Sequence, residues 1–404
     1  MRRRFVNAWG YVGERSIIAR WRAGVGLRDV LAQILVALVL FMAVYWLVSN
    51  VISNLERQNI ASGFGFFNER AGFGINQTLI DYNEDNSYGR VLAVGLLNTL
   101  LVSVLGIAAS SFLGFFIGIG RLSQNWLISK MAMVYIEIFR NVPLLLQIMF
   151  WYFGVLRNLP VPRQSLSLGE FVFLNNRGFM LPAIQAGAGA VWYLLAVIVG
   201  VGAFFWFKRR ARQILVATGN IVSVWRPTGT LFLLALLTAY LIAGVPFQFD
   251  MPVLRGFNFR GGISVIPEFV ALLLALSLYT ASFIAEIVRA GIESVDRGQR
   301  EAAAAMGLTG SQALNLVIVP QALRVIIPPL TSQYLNLTKN SSLAVAIAYP
   351  DIVSVFAGTT LTQVGQAVEI ILVTMLIYLS LSLLTSLIMN WYNARIALVG
   401  GRHG

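Results

Sequence analysis

Three polar constellations interrupt long apolar runs in this chain of 404 residues. In YIEIFRNVPLLLQ (135–147), Glu137 and Arg140 stand three positions apart, with Asn141 and Pro143 close behind. In TSQYLNLTKNSSLAVAI (331–347), Lys339 is the only charge, flanked by Asn336 and Asn340. A cation with amide neighbours is chemistry that can hold a carboxylate. The third stretch, REAAAAMGLTGSQALNLVIVPQALR (300–324), sets one acid, Glu301, before a run of alanines that includes Ala302 and Ala303. Gly307 and Gly310 follow, and Pro320 closes it.

A charge inside a membrane is costly unless it is paired or faces water or protein. Glu137 and Arg140 fall on one helix face and can neutralise each other. Pro143 removes a backbone hydrogen bond just beyond them, and a broken helix at membrane depth also fits the lining of a cavity. Lys339 is equally open to two roles. It can meet a solute's carboxylate, or it can neutralise Glu137 or another acid between helices. Asn336 and Asn340 suit a polar solute path beside it, as Arg140 and Asn141 do on the other segment.

Bond-making chemistry is excluded more firmly. There is no cysteine and a single histidine, His403, so disulfides, Cys/His metal sites and Ser–His or Cys–His pairs are out. No GxxxxGK[ST] run is present, so the chain is not expected to hold ATP itself. No inward pair of carboxylates points to hydrolysis. The expectation is a protein that is not an enzyme, with no catalytic residue, metal or cofactor of its own.

The elements that carry these residues are membrane spans. The composition is 57% hydrophobic and only 12% charged, against about 25% charged in an ordinary soluble domain. Apolar runs predict eight spans over 30–50, 91–120, 130–155, 184–207, 228–247, 265–289, 326–348 and 367–391. The fold class is therefore an all-α polytopic membrane protein. With the N-terminus inside, cytoplasmic segments hold 20 Lys and Arg, outer segments eight, and spans two. That asymmetry places both termini in the cytoplasm. It also absorbs most of the net charge of +13, so no nucleic-acid partner is expected, whereas membrane lipid is.

The segment 51–89, rich in Gly, Asn and acids, and the segment 156–183 with LPVPR both read as outer loops. KRRARQ (208–213) reads as a turn that sets topology, with anionic lipid as the second role. Small residues in GFFIGIG (114–120) and GAGAVW (187–192) read as helix-packing faces. From Gly298 onward the third constellation is too polar to span, and Glu301–Met306 has high helix propensity. Gly298, Gly307 and Gly310 bracket a short helix across one membrane surface. Such a helix can pack laterally on lipid or receive a partner, and spacing alone does not choose.

The third constellation resembles the EAA loop of permease subunits of ABC importers. The matching residues are Glu301, Ala302, Ala303, Gly307, Val317, Val319 and Pro320, with valines where isoleucine and leucine are usual. IEIFRNVPLLLQ is similar to the RGTPLLVQ of the polar amino acid branch, with Asn141 and Val142 in place of Gly and Thr. The resemblance covers roughly 91–155 and 265–391, five spans. Residues 1–29 then form a basic N-terminus and 30–90 an extra span with its long outer loop. Residues 91–155 and 263–391 form the permease core, with the loop at 291–325. Residues 156–262 form inserted loops and two extra spans, and 392–404 a tail. This enlarged layout looks like the permeases of general L-amino acid importers. The resemblance implies that Glu301–Gly310 is a coupling helix seated on a cytoplasmic ATPase dimer, which would hold the ATP and Mg. It further implies an identical or homologous partner permease, a periplasmic amino-acid-binding protein, and an inner-membrane location. The competing class is a secondary transporter or channel working alone, which has no need of an ATPase-docking helix. A scaffold or receptor subunit would carry no solute at all.

Overall fold

The computed structural model describes residues 27–57, 62–169, 171–187, 189–219, 222–245 and 247–397. They fall into two units. The smaller comprises residues up to Phe64 together with Val364–Glu369. Its helix α1 (Leu27–Arg57) presents large apolar side chains such as Leu35, Phe41 and Tyr45 outward. Within the same unit the Gly63 N–H donates to Glu369 Oε1 at 2.6 Å.

The larger unit is built on α2 (Tyr88–Arg121) and a helix of 27 residues much later in the chain, Pro267–Glu293. Between them run α3 (Trp126–Asn141) and α4 (Leu144–Met149), a set of short strands, and the helices α5 (Ala190–Thr218) and α6 (Trp225–Ala243). Pro267–Glu293 is α7. It is followed by α8 (Arg297–Ala305), α9 (Gly310–Ala313), α10 (Val319–Asn340) and α11 (Ala367–Ala397). Among the described residues seven helices are long and apolar enough to cross a membrane, or eight if one bent pair counts as a span.

That bent pair is the expected span 130–155, and it is not one rod. Trp126–Asn141 and Leu144–Asn158 meet at 103°. Val142 is extended at ψ 127°, as the residue before a proline prefers, and the chain restarts at Pro143. The freed carbonyls find a donor in one side chain. Gln147 Nε2 donates to Phe139 O at 3.0 Å and to Val142 O at 2.9 Å. The expected span 326–348 also changes character inside the membrane pattern. α10 stops at Asn340 and tightens into a 3₁₀ turn over Ser341–Ile347, and Ala348 then sits at φ 56°.

α2 and α7 form the central pair. A Cβ on Gly114 would lie 2.6 Å from Ile284 Cβ and 2.9 Å from Ala281 O. One on Gly118 would lie 2.7 Å from Ala285 O and 2.8 Å from Val288 Cβ. Two glycines four apart thus let the backbones touch, the small-residue mode of membrane helix packing. Around this pair Val102, Ile148, Leu272, Leu276, Leu337 and Tyr349 make the apolar core. Buried polar groups staple the returning segment to α2. Asn98 Nδ2 donates to Gln77 O and Pro350 O, both at 2.9 Å, and the Ile352 N–H donates to Thr99 Oγ1 at 3.1 Å.

The inserted region departs from the loop reading of 156–183. Strands β1 (Leu166–Leu168), β2 (Val172–Asn175), β3 (Gly178–Leu181) and β8 (Ile263–Val265) form an antiparallel sheet in the order β1-β2-β3-β8. β4 (Ala183–Ala186) pairs with β5 (Phe247–Asp250), and β6 (Val253–Arg255) with β7 (Asn258–Arg260). Helices α5 and α6 pack chiefly on each other between β4 and β5, so the insertion closes on itself. β4 occupies the start of the expected span 184–207, which moves the helix to begin at Ala190 and carries it on to Thr218.

Gly118→Ile is expected to destabilise the α2–α7 pair by ~1–3 kcal/mol, the usual cost of overpacking. A thermal melt of the detergent-purified protein should fall accordingly. An unchanged melting temperature would show that this contact is not what holds the pair.

Candidate functional site

The segment between α7 and α10 is a chain of caps. At the end of α7, Arg289 donates to Glu286 and Glu293 in a compact ion network. The Ser294 N–H still bonds Ala290 O, and Ser294 Oγ returns to Gly291 O at 2.7 Å. Asp296 then caps α8, its carboxylate accepting from the Gly298 N–H at 2.6 Å. Gly298 is therefore inside the helix, and the change of direction is made by Asp296.

The far end of α8 is where a glycine is required. Gly307 has φ 76°, its N–H donates to Ala304 O at 2.9 Å, and the Leu308 N–H donates to Ala303 O at 3.1 Å. This pair of bonds is the Schellman closure, which needs a left-handed residue in the position of Gly307. Thr309 then opens α9 with a reciprocal box. The Thr309 N–H donates to Gln312 Oε1 at 2.9 Å, and the Gln312 N–H to Thr309 Oγ1 at 3.4 Å. Gly310 is the first residue of α9 and makes no sharp turn of its own. A wider turn over Leu314–Ile318 leads into α10, where exposed Pro320 sits in the first turn, a position that tolerates its missing N–H.

α8 is anchored on one face and bare on the other. Ala303 is 1% exposed. Arg300 Nη2 donates to Ile292 O at 3.2 Å, and Gln321 Nε2 on α10 donates to Gln299 Oε1 at 3.1 Å. Behind them Ile284, Val288, Ile292, Val295, Ile318, Ala322 and Ile326 form one apolar cluster that joins α7 to α10. The opposite face shows Glu301, Ala302 and Met306 to the outside, Met306 at 71% exposure. The Glu301 carboxylate makes no hydrogen bond or ion pair among the described residues. An exposed methionine beside an unpaired acid and a bare alanine surface suits another protein better than water. Sequence spacing marks Met306 only as the end of a helix; its place between the alanine run and Gly307 is the signal for a surface role. A cavity of about 680 Å³ lies alongside, lined by Phe116, Ile119, Ile292, Arg300, Leu314 and Ala322.

The two expected polar-path groups are not joined by a hydrogen bond or ion pair among the described residues. On α3, Asn141 Nδ2 donates to Glu137 Oε2 at 3.1 Å, while the Arg140 guanidinium lies 5.2 Å from the Phe283 ring centroid. Neither Arg140 nor Lys339 forms an ion pair with Glu137 among the described residues. Asn141, four positions on and shorter, takes the carboxylate, and Arg140 turns to the aromatic face. On α10, Asn336 and Lys339 lie on the exposed face, Asn340 is half-buried, and Leu337 and Thr338 point into the core. No hydrogen bond links the 140–141 group to the 336–340 group among the described residues.

A polytopic helical bundle with a capped, half-bare helix projecting from the junction of two core helices defines a class of transport permease. Residues 194–398 match the family described as "Binding-protein-dependent transport system inner membrane component", and the chain belongs to that family. It is similar to the permease protein YhdX of Escherichia coli (strain K12), 54% identical over 91% of this chain and 94% of that one. It is 52% identical to the general L-amino acid transport system permease protein AapQ of Rhizobium johnstonii, over 92% of this chain and 93% of that one. The glutamate/glutamine/aspartate/asparagine transport system permease protein BztB of Rhodobacter capsulatus is 44% identical, over 92% of this chain and 94% of that one. The chain is thus a multi-pass membrane protein and an ABC-importer permease subunit.

Gly307→Val should break the closure of α8, because a β-branched residue at positive φ costs ~1–2 kcal/mol. Hydrogen exchange at the Gly307-position and Leu308 amides is then expected to speed up about 5- to 30-fold. Equal exchange in the variant would mean that the left-handed turn is not needed.

Proposed function

We propose that the chain carries L-amino acids across the inner membrane, by alternating access driven by a separate cytoplasmic ATPase dimer. The bare face of α8 carries this reading. Glu301, Ala302, Met306 and Gly307 project from a helix whose other face is bolted to α7 and α10. A push on that face passes into both core helices at once, since close-packed interiors move as blocks. ATP and Mg belong to the partner ATPase, and this chain supplies the lever. The amino-acid cargo is supported by the names of the relatives, AapQ and BztB among them.

The remaining assignments follow the same logic. A second permease, identical or homologous, completes the translocation path, and a periplasmic binding protein delivers the solute to the outer side. Both termini face the cytoplasm, which puts α8 on the ATPase side. Arg140, Asn141, Asn336, Lys339 and Asn340 line the polar path, with Lys339 meeting the α-carboxylate common to amino acids.

Glu301→Lys is expected to reduce ATP-coupled amino-acid uptake in proteoliposomes to background while the chain still inserts. Normal uptake would sink the coupling role of α8. Lys339→Ala is expected to abolish uptake with assembly and basal ATP hydrolysis retained. Loss of the assembled complex instead would assign Lys339 to structure.

A further inference from the structure

Helix α5 is longer than a bilayer requires. Its apolar run Ala190–Phe207 has 18 residues, roughly 27 Å at the usual rise, enough for the hydrocarbon core. The helix then continues through Lys208, Arg209, Arg210 and Arg212 to Thr218. Arg226, at the start of α6, joins the same end, because Phe204 of α5 touches Trp225 of α6 with ring centroids 5.3 Å apart. These five cations are exposed, and none forms an ion pair among the described residues. Their own segment offers no counter-ion either, since residues 171–249 contain no Asp or Glu.

Setting topology would require only the charge. The structure adds a shaped surface. Trp206, Arg209, Arg210, Gln213, Ile214 and Ala217 recur at helical spacing and form one open face of α5. Aromatic rings pre-position the cations. The Arg210 guanidinium lies 5.4 Å from the Trp206 ring centroid, and Lys208 Nζ lies 5.7 Å from that of Phe204. Trp206 and Trp225 mark this level as the membrane–water boundary, where indoles favour one apolar and one wet side.

We propose that this face of α5 binds the headgroup of an anionic glycerophospholipid. Arg209 and Arg210 receive its phosphodiester oxygens, which a guanidinium fork matches in geometry as well as charge. Gln213 offers a carboxamide to the glycerol hydroxyls, and Ile214 and Ala217 flank it with apolar surface. The site rests on the spans alone and does not depend on which solute is carried or which end is cytoplasmic.

The test uses the full chain purified in neutral detergent. Phosphatidylglycerol or phosphatidylcholine is titrated in, and bound lipid is read by native mass spectrometry. The expected results are selective retention of phosphatidylglycerol and a dissociation constant about 30-fold higher in Arg209→Gln/Arg210→Gln (~2 kcal/mol for two interfacial cations). Arg163→Gln, which removes one charge far along the chain, is expected to leave binding unchanged. Millimolar inorganic phosphate is expected not to displace the lipid. Equal retention of both lipids, unchanged binding in the double variant, an equal loss in Arg163→Gln, or displacement by free phosphate would each overturn the proposal. If the double variant does not assemble, the unmodified chain decides. Phosphatidylglycerol binding must weaken as salt rises while phosphatidylcholine binding does not, and a flat salt dependence would refute the site.

Discussion

The architecture depends on how closely the backbones of α2 and α7 approach. In lipid there is little hydrophobic reward for bringing two apolar helices together, so van der Waals fit has to supply it. Gly114 and Gly118 let α2 rest on the Ala281 and Ala285 carbonyls, closer than any side chain would permit. α7 is thereby fixed against the longest core helix. The capped turn at Asp296, the short α8 and the return into α10 take their position from that contact. The ridge of Ile284, Val288 and Ile292 on α7 then receives Ile318, Ala322 and Ile326, so α10 is positioned second-hand.

Within this frame the polar groups divide by what surrounds them. Asn98, Thr99 and Gln147 are buried and spend hydrogen bonds on backbone groups that irregular helices leave open. Glu301, Lys339, Arg140 and Asn336 are exposed, on faces that the rest of the larger unit does not cover. In a membrane protein that distinction matters, because an exposed charge is affordable only beside water, headgroups or another protein.

The sequence showed the spans well where apolar length was the only requirement, and it showed α8 through Gly307, whose left-handed turn no other residue enters cheaply. It marked Pro143 as a weak point within one span, a kink or a break, but not that the chain turns by 103° there or that Gln147 heals the break, because that bond reaches back eight residues to Phe139. The pairing of Glu137 with Arg140 was equally plausible on spacing. Asn141 shares the same face one turn away, and only coordinates decide which partner the carboxylate takes. The small sheets were the hardest part. Their strands run three or four residues, and Leu181 finds its partner at Ile263 across an intervening helical hairpin, so no local period announces them. The hint was FVFLN and GFML set around Asn176-Arg177, aromatic and apolar runs split by turn residues. In the β6–β7 hairpin, Gly256 at φ 68° opens a two-residue turn with Phe257, the usual short link between antiparallel strands.

The pairing of β4 with β5 gives the inserted hairpin a property of its own. Ala183 lies opposite Asp250 and Ala186 opposite Phe247, so the chain leaves for α5 and comes back from α6 through neighbouring points. The two strands act as a clasp. Whatever lies beyond the clasp can lengthen, shorten or disappear without altering the distance that the core must bridge. The hairpin is thus an appendage that evolution could add to a working permease, or tailor to a new lipid surface, while the core helices stayed as they were.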